Sequence, residues 1–285
     1  MFDDLLAEAN NDPRMIQSHC ERQRVGRNDR LKTQMLSREL QGVKTDEFLL
    51  RALQQPNYQD PRNNLCVWAR PTRAVGGMIE KVQQELRALA PGIWTTPSTC
   101  LHMTVLEIVH TLTPEEVAAC VATLRPCLKE MADWPLKHRT RLIKPMLNID
   151  DGAVALSFVP AAGECRDSVS DDQYTYLHLR NDLSRMSCEN GVEVVARYAT
   201  TSSHMTVARF VSNKDHGDKR AMESWIKTLE ALNIWLKDNY HPKIGQPNKV
   251  DVDCEWYIGA ERPLEIRQGS LWYGGGETIE TGTAY

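Results

Sequence analysis

Apolar and polar residues alternate along the chain in a way that predicts strands and helices in turn. Short apolar runs that end at proline or polar residues predict strands at 65–71 and 99–109. Apolar residues spaced three or four apart predict a helix over 74–90. A second helix is predicted over 113–131, and Pro126 should kink it or end it early. The predicted order of elements in this half of the chain is therefore strand, helix, strand, helix.

The second half of the chain shows a similar order. Two apolar runs joined at Asp150-Asp151-Gly152 predict a β-hairpin, and a long amphipathic pattern predicts a helix over 220–240. The other predicted elements are a helix at 174–191, a strand within 197–211 and short strands at 256–259 and 270–276, followed by about ten frayed terminal residues. The pattern indicates an α+β fold built from two similar halves.

The first 60 residues differ from the remainder of the chain. They are polar and helix-prone, with few large apolar side chains and a possible break at Asp12-Pro13. The segment 54–64 is rich in Pro, Asn and Asp, which favours a loop. We therefore expect a helical arm or cap over 1–60, packed on a main domain over 61–285.

Composition places the chain among globular proteins. The 285 residues are 41% apolar and 25% charged, and the formal net charge is −4, which excludes disorder as the main state. A pI of about 6.1 argues against coating nucleic acid through bulk charge, although a local basic cleft remains compatible with it. No run reaches the roughly 18 apolar residues of a membrane span, and the acidic start does not resemble a secretory signal.

The eight cysteines do not suggest a metal or redox motif. None lies in a C-x-x-C pair, so neither a zinc ribbon nor a thioredoxin-type motif is indicated. In a chain of this size without a signal peptide, free buried thiols are expected rather than disulfides. No H-E-x-x-H set is present either, so we expect no metal site and no cofactor.

Two predicted strands carry the same short motif. One contains His102-Met103-Thr104-Val105 and the other His204-Met205-Thr206-Val207. Alternate residues of a strand share a face, so each His and its Thr point one way while Met and Val point the other. With 8 His and 19 Thr in the chain, chance gives about 0.5 His-x-Thr match, so two matches in corresponding strands indicate function.

This residue set suits phosphoester chemistry. Imidazole titrates near neutral pH, so one His can accept a proton from the attacking group while the other donates one to the leaving oxygen. The hydroxyls of Thr104 and Thr206 can donate to the non-bridging phosphate oxygens. The sequence alone leaves open which His is the acid and which the base.

The two H-x-T-hydrophobic motifs resemble those of the two-histidine (2H) phosphoesterase superfamily, and the chain looks closest to its fungal members. That superfamily includes 2′-5′ RNA ligase-like proteins and cyclic nucleotide phosphodiesterases. The resemblance covers about 64–275 and includes Arg209, which matches the frequent H-x-T-hydrophobic-x-R form. It implies a bilobal fold whose two pseudo-symmetric lobes contribute one motif each to a central groove. The arm at 1–60 and the 102-residue separation of the motifs depart from compact members.

Further residues are weaker candidates for the site. On a regular strand Arg209 would point away from the groove, and only a bulge or the strand end would bring it back to a phosphate. Glu107 occupies the matching place after the first motif, where a surface charge is the simpler interpretation. Tyr273, and less strongly Trp68, are candidates to stack on a nucleotide base, although aromatic residues more often fill the core.

The leading hypothesis is a metal-independent phosphodiesterase that acts on a 2′,3′-cyclic phosphate or a 2′-5′ linkage. Its substrate would be a nucleotide or an RNA end. The alternatives are a nucleotide- or RNA-binding module without turnover, and a fold recruited for small-molecule biosynthetic chemistry. We expect a monomer in the cytoplasm or nucleus, with no membrane or DNA partner.

Overall fold

The computed structural model of this chain describes residues 2–37, 42–164, 169–194, 203–242 and 255–285. Within these ranges, no helix combines the length and the apolar character needed to cross a membrane. Six cysteines lie in them and all are free thiols, while Cys165 and Cys254 lie outside the described residues.

One continuous antiparallel sheet forms the centre of the protein. Its described strands follow the order β7-β4-β5-β6-β3-β1-β8-β9, and β2 pairs with β6 beside this path. The strands are β1 (Asn63–Ala69), β2 (Trp94–Thr95), β3 (Met103–Leu112), β4 (Arg141–Asn148), β5 (Ala153–Pro160), β6 (Ser203–Arg209), β7 (Trp256–Tyr257), β8 (Glu265–Gly269) and β9 (Glu277–Thr281). The two motif strands, β3 and β6, are therefore neighbours in the middle of the sheet.

Helices precede the sheet and connect its strands. They are α1 (Phe2–Glu8), α2 (Pro13–Met35), α3 (Glu47–Gln54), α4 (Arg73–Leu89), α5 (Pro114–Leu124), α6 (Leu128–Asp133), α7 (Tyr176–Glu189) and α8 (Lys219–Tyr240). Helices α4 and α8 pack against β6 and β4 respectively, and α5 packs against β1, β3 and β8. Apolar side chains of both halves and of the arm form the main buried cluster, and Cys66, Trp68 and Leu271 form a second, smaller one.

Local sequence explains where several helices begin. The side chain of Thr113 caps α5 by accepting a hydrogen bond from the backbone N–H of Glu116. The carboxylate of Glu116 in turn accepts a hydrogen bond from the backbone N–H of Thr113. The side chain of Asp218 accepts from the backbone N–H of Ala221 at the start of α8. Such caps satisfy backbone donors that have no partner inside the helix. The break between α5 and α6 falls at Pro126, as predicted.

Most predicted elements are present, and two predictions at the carboxyl terminus are wrong. The segment 270–276 was expected to be a strand, but Trp272–Gly274 forms a 3-10 turn instead. The last ten residues are not frayed, because Glu277–Thr281 pairs with β8 as an edge strand. The predicted strand within 197–211 is described only from Ser203, since 195–202 lie outside the described residues. The α+β class is confirmed.

The amino-terminal arm breaks at the predicted place. Helix α1 ends at Glu8, and Asp12 caps α2 with Pro13 as its first residue. Helix α2 packs on β5 and is fixed there by polar side chains. Asn28 donates from Nδ2 to the carbonyl of Leu147 at 2.9 Å, and its Oδ1 accepts from the N–H of Ile149 at 2.9 Å. The arm is thus bonded to the sheet through a buried amide.

Replacing Asn28 with Ala should destabilise the protein. The substitution leaves the buried N–H of Ile149 without its side-chain partner, whereas the carbonyl of Leu147 keeps a second donor in Asn233, so the free energy of unfolding should fall by about 1–3 kcal/mol. Urea unfolding followed by circular dichroism measures this change. The neighbouring exposed residue supplies the control, since Asp29→Ala should change stability by less than about 0.5 kcal/mol. Equal effects of the two substitutions would contradict the docking contact.

Candidate functional site

The two H-x-T motifs meet across the central pair of strands. Strand β3 pairs antiparallel with β6 through Met103 and Met205. In an antiparallel pair the residue numbers of opposing positions have a constant sum, so His102 lies opposite Thr206 and His204 lies opposite Thr104. All four side chains line one cleft of about 1060 Å³. The structure therefore brings the four predicted catalytic residues to a single site.

Each motif is followed by a β-bulge. In the β1–β3 pair, Val67 opposes Leu106 but Trp68 opposes Thr104, so Val105 is the extra residue. In the β5–β6 pair the register skips Val207 in the same way. A bulge reverses the side-chain alternation that follows it. Glu107 and Arg209, each five positions after its His, consequently line the cleft as well.

His102 is held in one tautomer and one orientation. Its Nδ1 lies 2.8 Å from the carbonyl oxygen of Cys100, which can only accept, so Nδ1 carries the hydrogen. Nε2 then bears the lone pair. The imidazole stacks on the indole of Trp68, with ring centroids 3.5 Å apart and planes 9° from parallel. These contacts prepare Nε2 to accept a proton.

The surroundings of His102 favour its neutral form. Burial lowers the pKa of His102 to about 4, and the positive charges of Arg70, Arg267 and Arg209 act in the same direction. The guanidinium groups of Arg70 and Arg267 lie 5.0 and 4.6 Å from the Trp68 ring, so they surround the stacked pair. An ion pair holds Arg70 in place, with its Nη2 atom 2.9 Å from Oε2 of Glu265. At neutral pH His102 is therefore uncharged, with Nε2 unprotonated.

The other motif residues are also held by their neighbours. The carbonyl of Thr104 accepts from Tyr176 Oη at 3.3 Å, and the carbonyl of Thr206 accepts from Thr96 Oγ1 at 2.9 Å. Their side chains remain on the cleft side, where Thr104 is exposed. His204 pairs with Ser157 on β5. Both hydroxyl groups can thus donate to a ligand without losing a bond that holds the backbone.

Arg209 and Tyr273, the predicted substrate contacts, lie together beside the cleft. Arg209 Nη1 is 3.1 Å from Asp46 Oδ2, and Tyr273 Oη donates to Asp46 Oδ1 at 2.6 Å. The guanidinium of Arg209 lies 5.4 Å from the centre of the Tyr273 ring. Burial and the bond to Asp46 raise the pKa of Tyr273 above its ordinary value, so it stays protonated. Asp46 belongs to the arm, which therefore helps to position both residues.

Tyr273 reaches this position from a strained turn. Its φ of 63° lies in the left-handed region that favours glycine. At Gly274, with φ +92°, a Cβ atom would stand 2.3 Å from the Cβ of Cys100, the residue whose carbonyl holds His102. The glycine triplet at 274–276 therefore serves as a tight turn that packs against the first motif. Such strain is often found at functional sites.

The sequence analysis missed the contribution of α2 to the cleft. Eight residues of this helix line it, namely His19, Cys20, Arg22, Gln23, Arg24, Gly26, Arg27 and Arg30. The signal was present as the spacing of His19, Arg22 and Arg30, but a polar helix face is usually a solvated one. With Arg180 and Arg209, six arginines line the cleft against one acidic residue, Glu107. A chain of net charge −4 thus has a positive cleft.

Comparisons with known proteins do not assign a family to this chain. No protein-family model matches it, and no curated protein matches it. Among solved structures, a conserved protein of unknown function from Agrobacterium tumefaciens matches at 13% identity and a TM-score of 0.46. The match covers 78% of this chain and 86% of that protein. Similarity at this level assigns neither a fold family nor an activity. Within the described residues, no three His, Cys, Asp or Glu side chains are grouped to hold a metal.

The lowered pKa of His102 should make stability depend on pH. An unfolded His takes up its proton near pH 6.5, whereas His102 in the fold does so near pH 4. The unfolded state therefore binds more protons between these values, and stability is highest above pH 6.5 and falls as the pH falls to 4. The loss due to His102 should be about 3 kcal/mol.

Urea unfolding of the wild type and of His102→Gln from pH 7 to pH 4 measures this loss. The other histidines with a lowered pKa, such as His178, His216 and His241, are present in both proteins and cancel in the comparison. The variant should lose less stability than the wild type over this range. Parallel curves would show that His102 titrates at an ordinary pKa.

Proposed function

We propose that the chain is a metal-independent phosphodiesterase of the 2H type. Its substrate would be a 2′,3′-cyclic phosphate or a 2′-5′ linkage of a nucleotide or an RNA end. The observation that supports this most is the placing of both H-x-T motifs on adjacent strands, each His opposite the other motif's Thr, in one arginine-lined cleft. The halves of the sheet on either side of this pair would be the two lobes of the family's fold.

The proposed mechanism assigns His102 as the general base. For a cyclic phosphate, a water oxygen attacks phosphorus while His102 Nε2 takes the proton of that water. The bond from phosphorus to the 2′ or 3′ oxygen breaks, and His204 donates a proton to the departing oxygen. The protons exchanged by the two imidazoles balance over the turnover. The neutral state and fixed tautomer of His102 favour this assignment over the reverse.

Negative charge on the phosphoryl oxygens would be stabilised from both strands. Thr104 and Thr206 supply hydroxyl donors at symmetric positions on the cleft side of the two strands. Arg209 is close enough to the second motif to add a positive charge, once a phosphate competes with Asp46 for it. Tyr273 offers an aromatic face at the same edge of the cleft for a nucleotide base.

Loss of either His should abolish most activity. Hydrolysis of the four 2′,3′-cyclic mononucleotides should proceed in EDTA, and His102→Ala or His204→Ala should each lower kcat/KM by about 10²–10⁴-fold. Thr104→Val and Thr206→Val should cost about 2–4 kcal/mol in barrier, since each removes one donor to the developing charge. His110→Ala, on β3 but outside the cleft, is the matched control and should retain activity. Wild-type rates in either His variant would exclude the mechanism.

The pH dependence of kcat/KM tests the roles of the two histidines separately. If His102 is the base, activity should fall only as this residue becomes protonated, so the acidic limb should lie near pH 4 rather than near 6.5. The rate of wild-type hydrolysis from pH 3.5 to 9 gives this limb. An acidic limb between pH 6 and 7 would assign the base role to His204 instead.

A further inference from the structure

Helix α2 presents one continuous polar stripe to the cleft. The residues that line it, from His19 to Arg30, follow the spacing of a single helix face, three or four positions apart. At 1.5 Å per residue this stripe is about 16 Å long, longer than a single phosphate requires. We refer to His19, Arg22, Gln23, Gly26, Arg27 and Arg30 as the α2 stripe.

The stripe lies alongside the second motif. Helix α2 runs antiparallel to β5, with Gln17 bonded to the carbonyl of Pro160 and Arg24 bonded to that of Ser157. Strand β5 is the partner of β6, and Ser157 of β5 pairs with His204. Arg27 also lines a smaller adjoining cleft together with His204, Thr206 and Arg209. The stripe and the two histidines therefore line the same cleft.

The arginines of α2 differ in their charge partners. Arg27 is paired with Asp150, and the buried Arg24 is paired with Glu21 at 2.6 Å. Arg22 donates to the hydroxyl of Ser18, and both Arg22 and Arg30 are exposed. Within the part of the chain that the structure describes, neither of these two has a carboxylate partner. Their charge is available to an anion in the cleft.

Gly26 lies at the middle of the stripe. A Cβ built at this position meets no atom within 4 Å, so packing inside the protein does not require glycine here. Glycine is also unfavourable within a helix. Its presence leaves the helix backbone open between Arg22 and Arg30, where a ligand can approach closely.

We propose that the α2 stripe binds a second phosphate group of the substrate. The substrate class is then a nucleotide whose reacting phosphate is accompanied by another, either a 5′-phosphate or the next phosphodiester of an oligonucleotide. Arg22 and Arg30 supply the charge that recognises it. This inference rests on the proposed function, since the first phosphate occupies the cleft between the two histidines.

Three substrates separate the possibilities. They are adenosine 2′,3′-cyclic phosphate, the same nucleotide with a 5′-phosphate, and a dinucleotide that ends in the cyclic phosphate. The wild type should prefer at least one of the last two, as a ratio of kcat/KM, by about 10- to 100-fold over the first. Preference for both points to any second phosphate, and preference for the dinucleotide alone points to an RNA end.

The double variant Arg22→Gln/Arg30→Gln should lose this preference. Arg14→Gln is the matched control, because Arg14 is an exposed arginine of the same helix that does not line the cleft. The control should keep the wild-type ratio, and thermal unfolding should confirm that all variants fold. An unchanged ratio in the double variant, or the absence of any preference in the wild type, would overturn the inference.

A binding measurement separates this inference from the proposed function. Calorimetric titration compares adenosine 3′,5′-bisphosphate with adenosine 3′-monophosphate and requires no turnover. The bisphosphate should bind about 10- to 100-fold more tightly to the wild type, and the double variant should lose that difference. If neither a 2′,3′-cyclic phosphate nor a 2′-5′ linkage is hydrolysed, the proposed function fails, but the binding ratio still decides the role of the α2 stripe. Equal affinities in the wild type would reject it.

Discussion

The antiparallel pairing of β3 with β6 is the contact on which the site depends. A register fixed at Met103 and Met205 sets each imidazole opposite a threonine hydroxyl from the other strand. The two methionines are fully buried. A shift of the register by one residue would bury the His and Thr side chains of the motifs in their place. Burial of apolar side chains on one face of the strands therefore determines which polar side chains line the cleft on the other face.

The bulges extend this arrangement by one more residue on each strand. Val105 and Val207 are each skipped in the pairing with a neighbouring strand, and both are buried. As a result Glu107 and Arg209 turn to the cleft at equivalent places, with opposite charges. The two halves are thus alike in backbone geometry and different in electrostatics.

The amino-terminal arm contributes to the site as well as to the core. Phe2, Leu6 and Ile16 join the same buried cluster as the sheet residues, so the arm is part of the packed protein. Asp46 binds both Arg209 and Tyr273, and α2 supplies four arginines to the cleft. A sheet that carries the two H-x-T motifs is thereby combined with a helix that supplies four of the six arginines of the cleft.

The α+β class, most helices and strands, and the four residues of the two motifs could be predicted from the amino-acid sequence. Those features depend on local periodicity and on residue type, which a sequence shows directly. That Arg209 faces the cleft is visible only in the tertiary structure. The bulge that turns it there arises from the pairing of two strands, which the sequence of one strand does not show. The same holds for the edge strand Glu277–Thr281, whose polar residues gain order from pairing with β8. That α2 lines the cleft is also visible only in the tertiary structure, since the polar face of a helix shows in the sequence but the surface it faces does not.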